Sequence, residues 1–153
     1  MQNKQKRQKI LFLCNSNSCR SQMAEGWTRK LKGDVFESYS AGFESGGLDR
    51  RAVQVMLEAG VDISGQKSKV LDEVKTIPFD FVVTVCGSAH ERCPVFTLGA
   101  KVLHIGFDDP PVLAQAARTE EEALIHYRRV RDEIRRFVES LPDALLQRTT
   151  ASR

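Results

Sequence analysis

No apolar segment of the 153-residue sequence approaches the ~18 residues that a membrane helix needs. The basic N-terminus is followed only by the short apolar run Ile10–Cys14, where a signal peptide needs about 7–15 apolar residues. Aromatic residues are scarce, at 7%, and they are not interleaved with basic clusters. The net charge is only +3. These absences favour a cytoplasmic protein that binds neither membranes nor nucleic acid.

The pattern of strands and helices predicts one α/β domain with an open parallel sheet, because apolar strands alternate with amphipathic helices. The predicted strands are residues 9–14, 35–40, 79–86 and 102–105, and the predicted helices are residues 21–31, 51–59, 70–77 and 120–141. We expect the domain to span residues 9–146, preceded by a basic flexible tail (1–8) and followed by a frayed C-terminus (147–153).

The first predicted strand leads into a Cys14-x5-Arg20-Ser21 loop and then directly into a helix. Ligands bind beyond the carboxyl ends of parallel strands, and a helix N-terminus favours anions. Arg20 offers a planar fork for a tetrahedral oxyanion, and the same field favours a nucleophilic thiolate at Cys14. Ser21 is expected to donate a hydrogen bond to that sulfur. The predicted oxyanion-binding residues are Asn15, Ser16, Asn17, Ser18, Cys19 and Arg20.

Cys86 and Cys93 flank a segment that follows the strongest strand signal. Gly87 and Pro94 fit a loop, so we expect both thiols near solvent and mobile. The cytosol keeps thiols reduced, which argues against structural disulfides. Their spacing is too wide for the C-x2–4-C pairs of a structural zinc site, so we expect no metal there. An inert pair and a redox-active pair remain open.

Asp109 precedes Pro110 after the fourth predicted strand, at the sheet edge that carries Cys14. A carboxyl group in this place suits a general acid that protonates a leaving oxygen. Asp-Pro is also an ordinary turn signal. The residues alone leave both interpretations open.

Taken together, these features resemble the low-molecular-weight protein tyrosine phosphatase fold and, within it, the thioredoxin-coupled arsenate reductases. The similar segments are residues 14–27, 40–42, 83–86, 93–94, 106–110 and 129–134. The Cys86 and Cys93 pair is the specific signal, since the phosphatases do not need it. The resemblance implies a single-domain three-layer sandwich, with four parallel strands in the order 2-1-3-4 and helices on both faces.

The resemblance also implies a reaction that needs no cofactor. The Cys14 thiolate attacks arsenate while Asp109 protonates the departing oxygen. Cys86 then forms a disulfide with Cys14 and arsenite is released. Cys93 attacks Cys86 in turn, and thioredoxin reduces the resulting disulfide. Cys19 has no step in this cycle.

The sequence departs from the family at three places. Ser16 replaces a glycine that is frequent in the family, so we expect a stiffer loop or a strained positive φ at Ser16. Some members bind potassium through an Asn, a Glu, a Ser and an Asp. The first three positions match, at Asn17, Glu25 and Ser40. Lys69 stands at the fourth, and we expect its ammonium group to replace the cation. About ten extra residues after Pro111 have no predicted role.

Two other functions fit the same residues. A phosphotyrosine phosphatase would also use Cys14, Arg20 and Asp109. However, Pro110 and Pro111 follow the acid, and no aromatic side chain is available there to stack on a phosphotyrosine ring. A non-enzymatic oxyanion-binding or redox-sensing module would bind arsenate without turnover. Whichever function applies, we expect the protein to be a monomer.

Overall fold

The computed structural model describes residues 6–87 and 99–146. The strands are β1 (Gln8–Cys14), β2 (Phe36–Gly42), β3 (Phe81–Thr84) and β4 (Lys101–His104). The helices are α1 (Arg20–Lys32), α2 (Arg50–Glu58), α3 (Pro110–Ala114) and α4 (Glu120–Glu139). The four strands form one parallel sheet in the order β2-β1-β3-β4, which confirms the predicted α/β class and topology.

The central strand β1 is covered on both faces. Ile10, Leu11, Phe12 and Leu13 are all 0% exposed. Successive side chains of a strand point to opposite faces, so a run without exposure requires packing on each side. This burial explains why the sequence of β1 is continuously apolar instead of alternating, and it fixes the position of Cys14 at the end of the strand.

The helices begin and end where their sequences favour it. The side chain of Asp49 accepts hydrogen bonds from two backbone N–H groups in the first turn of α2, and the side chain of Thr119 accepts one, from Glu122 N, at the start of α4. Gly60, with φ at 88°, follows α2 and confirms the predicted stop. On α1, Met23 and Trp27 are buried, so this helix packs its predicted apolar face inward.

The predicted helix over residues 70–77 is wrong, since only a single 3-10 turn forms, at Leu71–Glu73. Val70 has extended backbone and makes a parallel bridge with Gly42 at the end of β2. This tertiary pairing holds Val70 out of a helical conformation, and Pro78 ends the segment shortly afterwards. The segment therefore borders the carboxyl end of the sheet, where the predicted site lies.

Among the described residues, no helix combines the length and the apolar character that crossing a membrane requires.

Candidate active site

The oxyanion loop, residues 14–20, connects the end of β1 to the first residue of α1. It surrounds a cavity of about 130 Å³. The lining residues are Cys14, Asn15, Ser16, Ser18, Cys19, Arg20, Asp109 and Pro111. Pockets for drug-sized ligands have volumes of about 300–1,000 Å³, so this cavity suits a small anion better than an aromatic phosphate ester.

The carbonyl groups of the oxyanion loop are engaged on its outer side by residues 43–49. Asn15 O accepts hydrogen bonds from two backbone N–H groups of that segment, at 2.8 and 3.0 Å. Ser16 O and Ser18 O each accept one, at 2.9 Å. Peptide groups that turn their oxygens outward present their N–H groups inward, where the N-terminus of α1 adds a partial positive charge. The loop is thereby arranged to receive an oxyanion.

Strain in the oxyanion loop falls on Asn17, not on Ser16. Asn17 is buried behind the cavity and is the one non-glycine residue with a positive φ among the described residues, at 52°. The possibility of a strained Ser16 is therefore wrong, and asparagine tolerates this conformation better than serine does. Gly42 permits the close packing, because a Cβ atom there would lie 2.7 Å from Asn17 N. This role of Gly42 was not predicted.

Cys14, which lines the cavity, is in contact with Cys86. Cys86 is 7% exposed and its thiol forms a hydrogen bond with the sulfur of Cys14. The expectation that Cys86 lies near solvent is wrong. The chain continues alongside β1 after β3 ends, with Val85 N donating to Leu13 O at 3.0 Å, and this pairing holds Cys86 beside Cys14.

The surroundings of Cys14 favour its thiolate form. The hydrogen bond with Cys86 contributes most to lowering the pKa of Cys14, from 9.0 to about 5, against the opposing effect of burial. Ser21 Oγ also donates to the sulfur, at 3.2 Å, and the backbone of Asn17 and the charge of Arg20 act in the same direction. In contrast, burial, reinforced by nearby carboxylates, raises the pKa of Cys19. The structure therefore favours Cys14 over Cys19 as the nucleophile.

Alkylation of the reduced protein should label Cys14 fastest near pH 6. A pKa lowered to about 5 means that the thiolate is present above that pH and is lost as the pH falls through it. Iodoacetamide labelling read by peptide mass spectrometry measures this order, and bound arsenate should slow the reaction. Faster labelling of Cys86 or Cys93 without protection by arsenate would contradict the assignment of Cys14.

Arg20 links the oxyanion loop to the segment that carries the predicted acid. One guanidinium nitrogen donates to Phe107 O at 2.8 Å, and another lies 3.3 Å from Asp109 Oδ2. Asp109 lines the same cavity as Cys14 and is partly exposed. A carboxyl group in this place can reach an oxygen of a bound anion, and its role as general acid stays a prediction.

The side chain of Asp108 pairs with α4 and not with the cavity. Its Oδ2 lies 3.0 Å from Arg129 Nη2 on α4, and it does not line the cavity. Of the two adjacent carboxylates, the structure therefore brings only Asp109 to the site. Cys93 lies outside the described residues, so its predicted place in the site is not examined by the structure.

Residues 9–151 match the family model of the low molecular weight phosphotyrosine protein phosphatases. The chain belongs to this family. It is 50% identical over 135 residues to an arsenate reductase of Bacillus licheniformis, covering 86% of this chain and 95% of the relative.

Solved structures agree with the family assignment. A structure described as an arsenate reductase in the reduced state is 30% identical, with a TM-score of 0.73, and the match covers 90% of this chain and 98% of the other. A thioredoxin-dependent arsenate reductase of Corynebacterium glutamicum shares the fold at 23% identity, with a TM-score of 0.64. That match covers 96% of this chain and 64% of the other.

Lys69 lies close to Glu25 and Asn17, two of the residues that match the potassium ligands of some family members in the sequence. Its ammonium nitrogen lies 3.8 Å from Glu25 Oε1, and the Ser40 hydroxyl donates to the same oxygen. The backbone N–H of Lys69 donates to Asn17 Oδ1 at 2.7 Å. The four positions that correspond to the potassium ligands, Asn17, Glu25, Ser40 and Lys69, therefore lie together, and one of them carries a positive side chain.

Exchanging sodium for potassium at fixed ionic strength should leave the melting temperature of the protein unchanged. The Lys69 ammonium group already supplies a positive charge to Glu25, and stabilisation by linkage requires an ion that binds the folded state. Thermal unfolding in matched chloride buffers measures the effect. A rise specific to potassium would show that the cation still binds.

Proposed function

We propose that this protein reduces arsenate to arsenite through a thiol–disulfide relay from Cys14 to Cys86 to Cys93. The observation that carries this proposal is the hydrogen bond between Cys86 and Cys14, a residue that lines the oxyanion cavity. A phosphatase needs one thiolate, whereas a two-electron reduction needs two sulfurs close enough to form a bond. The 50% identity to an arsenate reductase supports the same reaction.

The first step is attack by the Cys14 thiolate on arsenic. The N–H groups of the oxyanion loop and Arg20 hold the anion, and a sulfur–arsenic bond forms as one oxygen departs. Asp109 gives that oxygen a proton, so it leaves as water or hydroxide. Arg20, itself part of the oxyanion loop, pairs with Asp109, which keeps the acid close to the reacting anion.

The second step transfers two electrons to arsenic. The Cys86 sulfur, having lost its proton, attacks the Cys14 sulfur and forms a disulfide. The electron pair of the sulfur–arsenic bond goes to arsenic, which leaves as arsenite. The existing contact between Cys86 and Cys14 means that these two sulfurs start within reach of each other.

The third step regenerates Cys14. The Cys93 thiolate attacks Cys86, so that Cys14 leaves as a thiolate and the disulfide joins Cys86 and Cys93. Thioredoxin, a dithiol reductant, then reduces this second disulfide. The shared fold with a thioredoxin-dependent arsenate reductase supports this choice of partner. Cys86 is buried, so a relay to a further cysteine avoids direct reduction beneath the oxyanion loop.

Phosphotyrosine hydrolysis is the second candidate, and the family assignment favours considering it. It would need Cys14, Arg20 and Asp109, which the site contains. Phosphate hydrolysis has no step for the contact between Cys86 and Cys14. In addition, the cavity is lined by Pro111 along with Asp109, and proline has no aromatic ring to stack on a phosphotyrosine.

Steady-state assays separate the two candidates. Arsenate-dependent oxidation of NADPH through thioredoxin reductase and thioredoxin should be rapid, and glutathione with glutaredoxin should support little turnover. Hydrolysis of an aryl phosphate should be slow in comparison. Efficient phosphate hydrolysis without arsenate-dependent thiol consumption would replace the reductase by the phosphatase.

A further inference from the structure

Gln22 is a fully buried side chain of α1 that does not line the oxyanion cavity. Its Nε2 lies 3.0 Å from both Asn17 O and Asn17 Oδ1, and 2.9 Å from Lys67 O. Its Oε1 accepts a hydrogen bond from Gln66 Nε2 at 2.7 Å. Every partner of the nitrogen is an acceptor and the partner of the oxygen is a donor. The orientation of the Gln22 amide is therefore fixed.

Gln22 and the backbone of Lys69 together fix the orientation of the Asn17 amide. Asn17 Oδ1 faces two N–H donors, from Gln22 and from the backbone of Lys69. Its Nδ2 consequently faces Ser21 Oγ, at 2.9 Å, and donates to it. Because Ser21 accepts this bond, its single hydroxyl hydrogen remains for the Cys14 sulfur, 3.2 Å away.

The backbone of Asn17 depends on the same contact. A non-glycine residue with φ at 52° is strained, and it keeps this conformation only where its neighbours restrain it. Gln22 Nε2 bonds the main-chain oxygen of Asn17 as well as its side chain. The backbone of Asn17 in turn donates to Cys14. Two of the donors on the sulfur therefore rest on Asn17.

We propose that Gln22 is a positioning residue for Cys14, whose amide holds Asn17 in its left-handed conformation and so directs the Ser21 hydroxyl hydrogen at the sulfur. Gln66 in turn restrains Gln22, because its Nε2 donates to Gln22 O at 3.1 Å and to Gln22 Oε1 at 2.7 Å. Gln66 Oε1 is buried and has no partner among the described residues. Reversing Gln66 would place its oxygen against two oxygens of Gln22, so the observed orientation is the better of the two.

The test is the pH midpoint of Cys14 alkylation in Gln22 variants. Gln22→Met keeps the length of the side chain and removes its donors, so the midpoint should rise by about one pH unit. A role in filling space alone predicts an unchanged midpoint, because methionine is close to glutamine in size.

Thr28→Val is the matched control. Thr28 is buried on the same helix, its hydroxyl donates to Ala24 O at 2.8 Å, and it does not line the cavity. This variant should keep the wild-type midpoint. The titratable groups around Cys14 are unchanged in all variants, namely Cys19, Cys86, Arg20 and Asp109.

An unchanged midpoint in folded Gln22→Met, or an equal rise in Thr28→Val, would overturn the proposal. If circular dichroism shows that Gln22→Met does not fold, Gln66→Met decides instead, with a rise expected and an unchanged midpoint contradicting it. The inference rests on Cys14 as the nucleophile of the proposed function. Alkylation needs no arsenate, however, so failure to reduce arsenate would refute the function and leave this result standing.

Discussion

Cys86→Ser should release no arsenite even in a first turnover, whereas Cys93→Ser should release about one arsenite per chain and then stop. Reduction of arsenate takes two electrons, and one disulfide between Cys14 and Cys86 supplies them. Cys93 is needed only to move that disulfide away from the oxyanion loop. Rapid-quench measurement of arsenite with excess arsenate distinguishes the two variants.

The stalled Cys93→Ser protein provides its own control. Mass spectrometry should find Cys14 joined to Cys86, and a strong small-molecule reductant should restore another single release. Alkylation of Cys14 in reduced Cys86→Ser should show that its oxyanion loop is intact. Normal turnover of Cys93→Ser with thioredoxin would refute the relay and favour a glutathione-type route through Cys14.

Asp109→Asn should lower the arsenate-dependent rate by about 10²–10⁴-fold, because the departing oxygen loses its proton donor. Affinity for the oxyanion should change little, since the loop and Arg20 supply its binding groups. The measurement is single-turnover kinetics across arsenate concentrations, which separates the maximal rate from the half-saturating concentration.

Asp108→Asn is the matched control for Asp109→Asn. It removes the adjacent carboxylate, which pairs with Arg129 outside the cavity, so its rate should stay close to that of the wild type. A large loss in Asp108→Asn together with a small loss in Asp109→Asn would reverse the assignment of the acid.

The sheet and the oxyanion loop were predictable because their signals are local. A continuously apolar segment that ends at Cys14, followed by polar residues and an amphipathic helix, defines β1, the loop and α1 within a short stretch of sequence. The strand order was taken from a resemblance and is confirmed by the sheet. The prediction of a helix over residues 70–77 was wrong because Val70 pairs with Gly42, and this contact joins segments that are distant in sequence.

The contacts that tune the site were less predictable, because they depend on tertiary geometry. The loop amides, the helix N-terminus and Arg20 were expected to favour the Cys14 thiolate, but the largest contribution comes from Cys86. The sequence placed Cys86 at the end of a predicted strand without showing that the chain stays paired with β1 at Val85. The sequence offered a positive φ at Ser16 as one of two alternatives, whereas the positive φ lies at Asn17, which contacts Gln22 and Gly42.

The most direct test of the account is one turnover of fully reduced wild-type protein with arsenate and no external reductant. About one arsenite should appear per chain, two titratable thiols should disappear, and the resulting disulfide should join Cys86 and Cys93. Binding of arsenate without arsenite formation or loss of thiols would contradict the account and leave an oxyanion-binding module as the function of the fold.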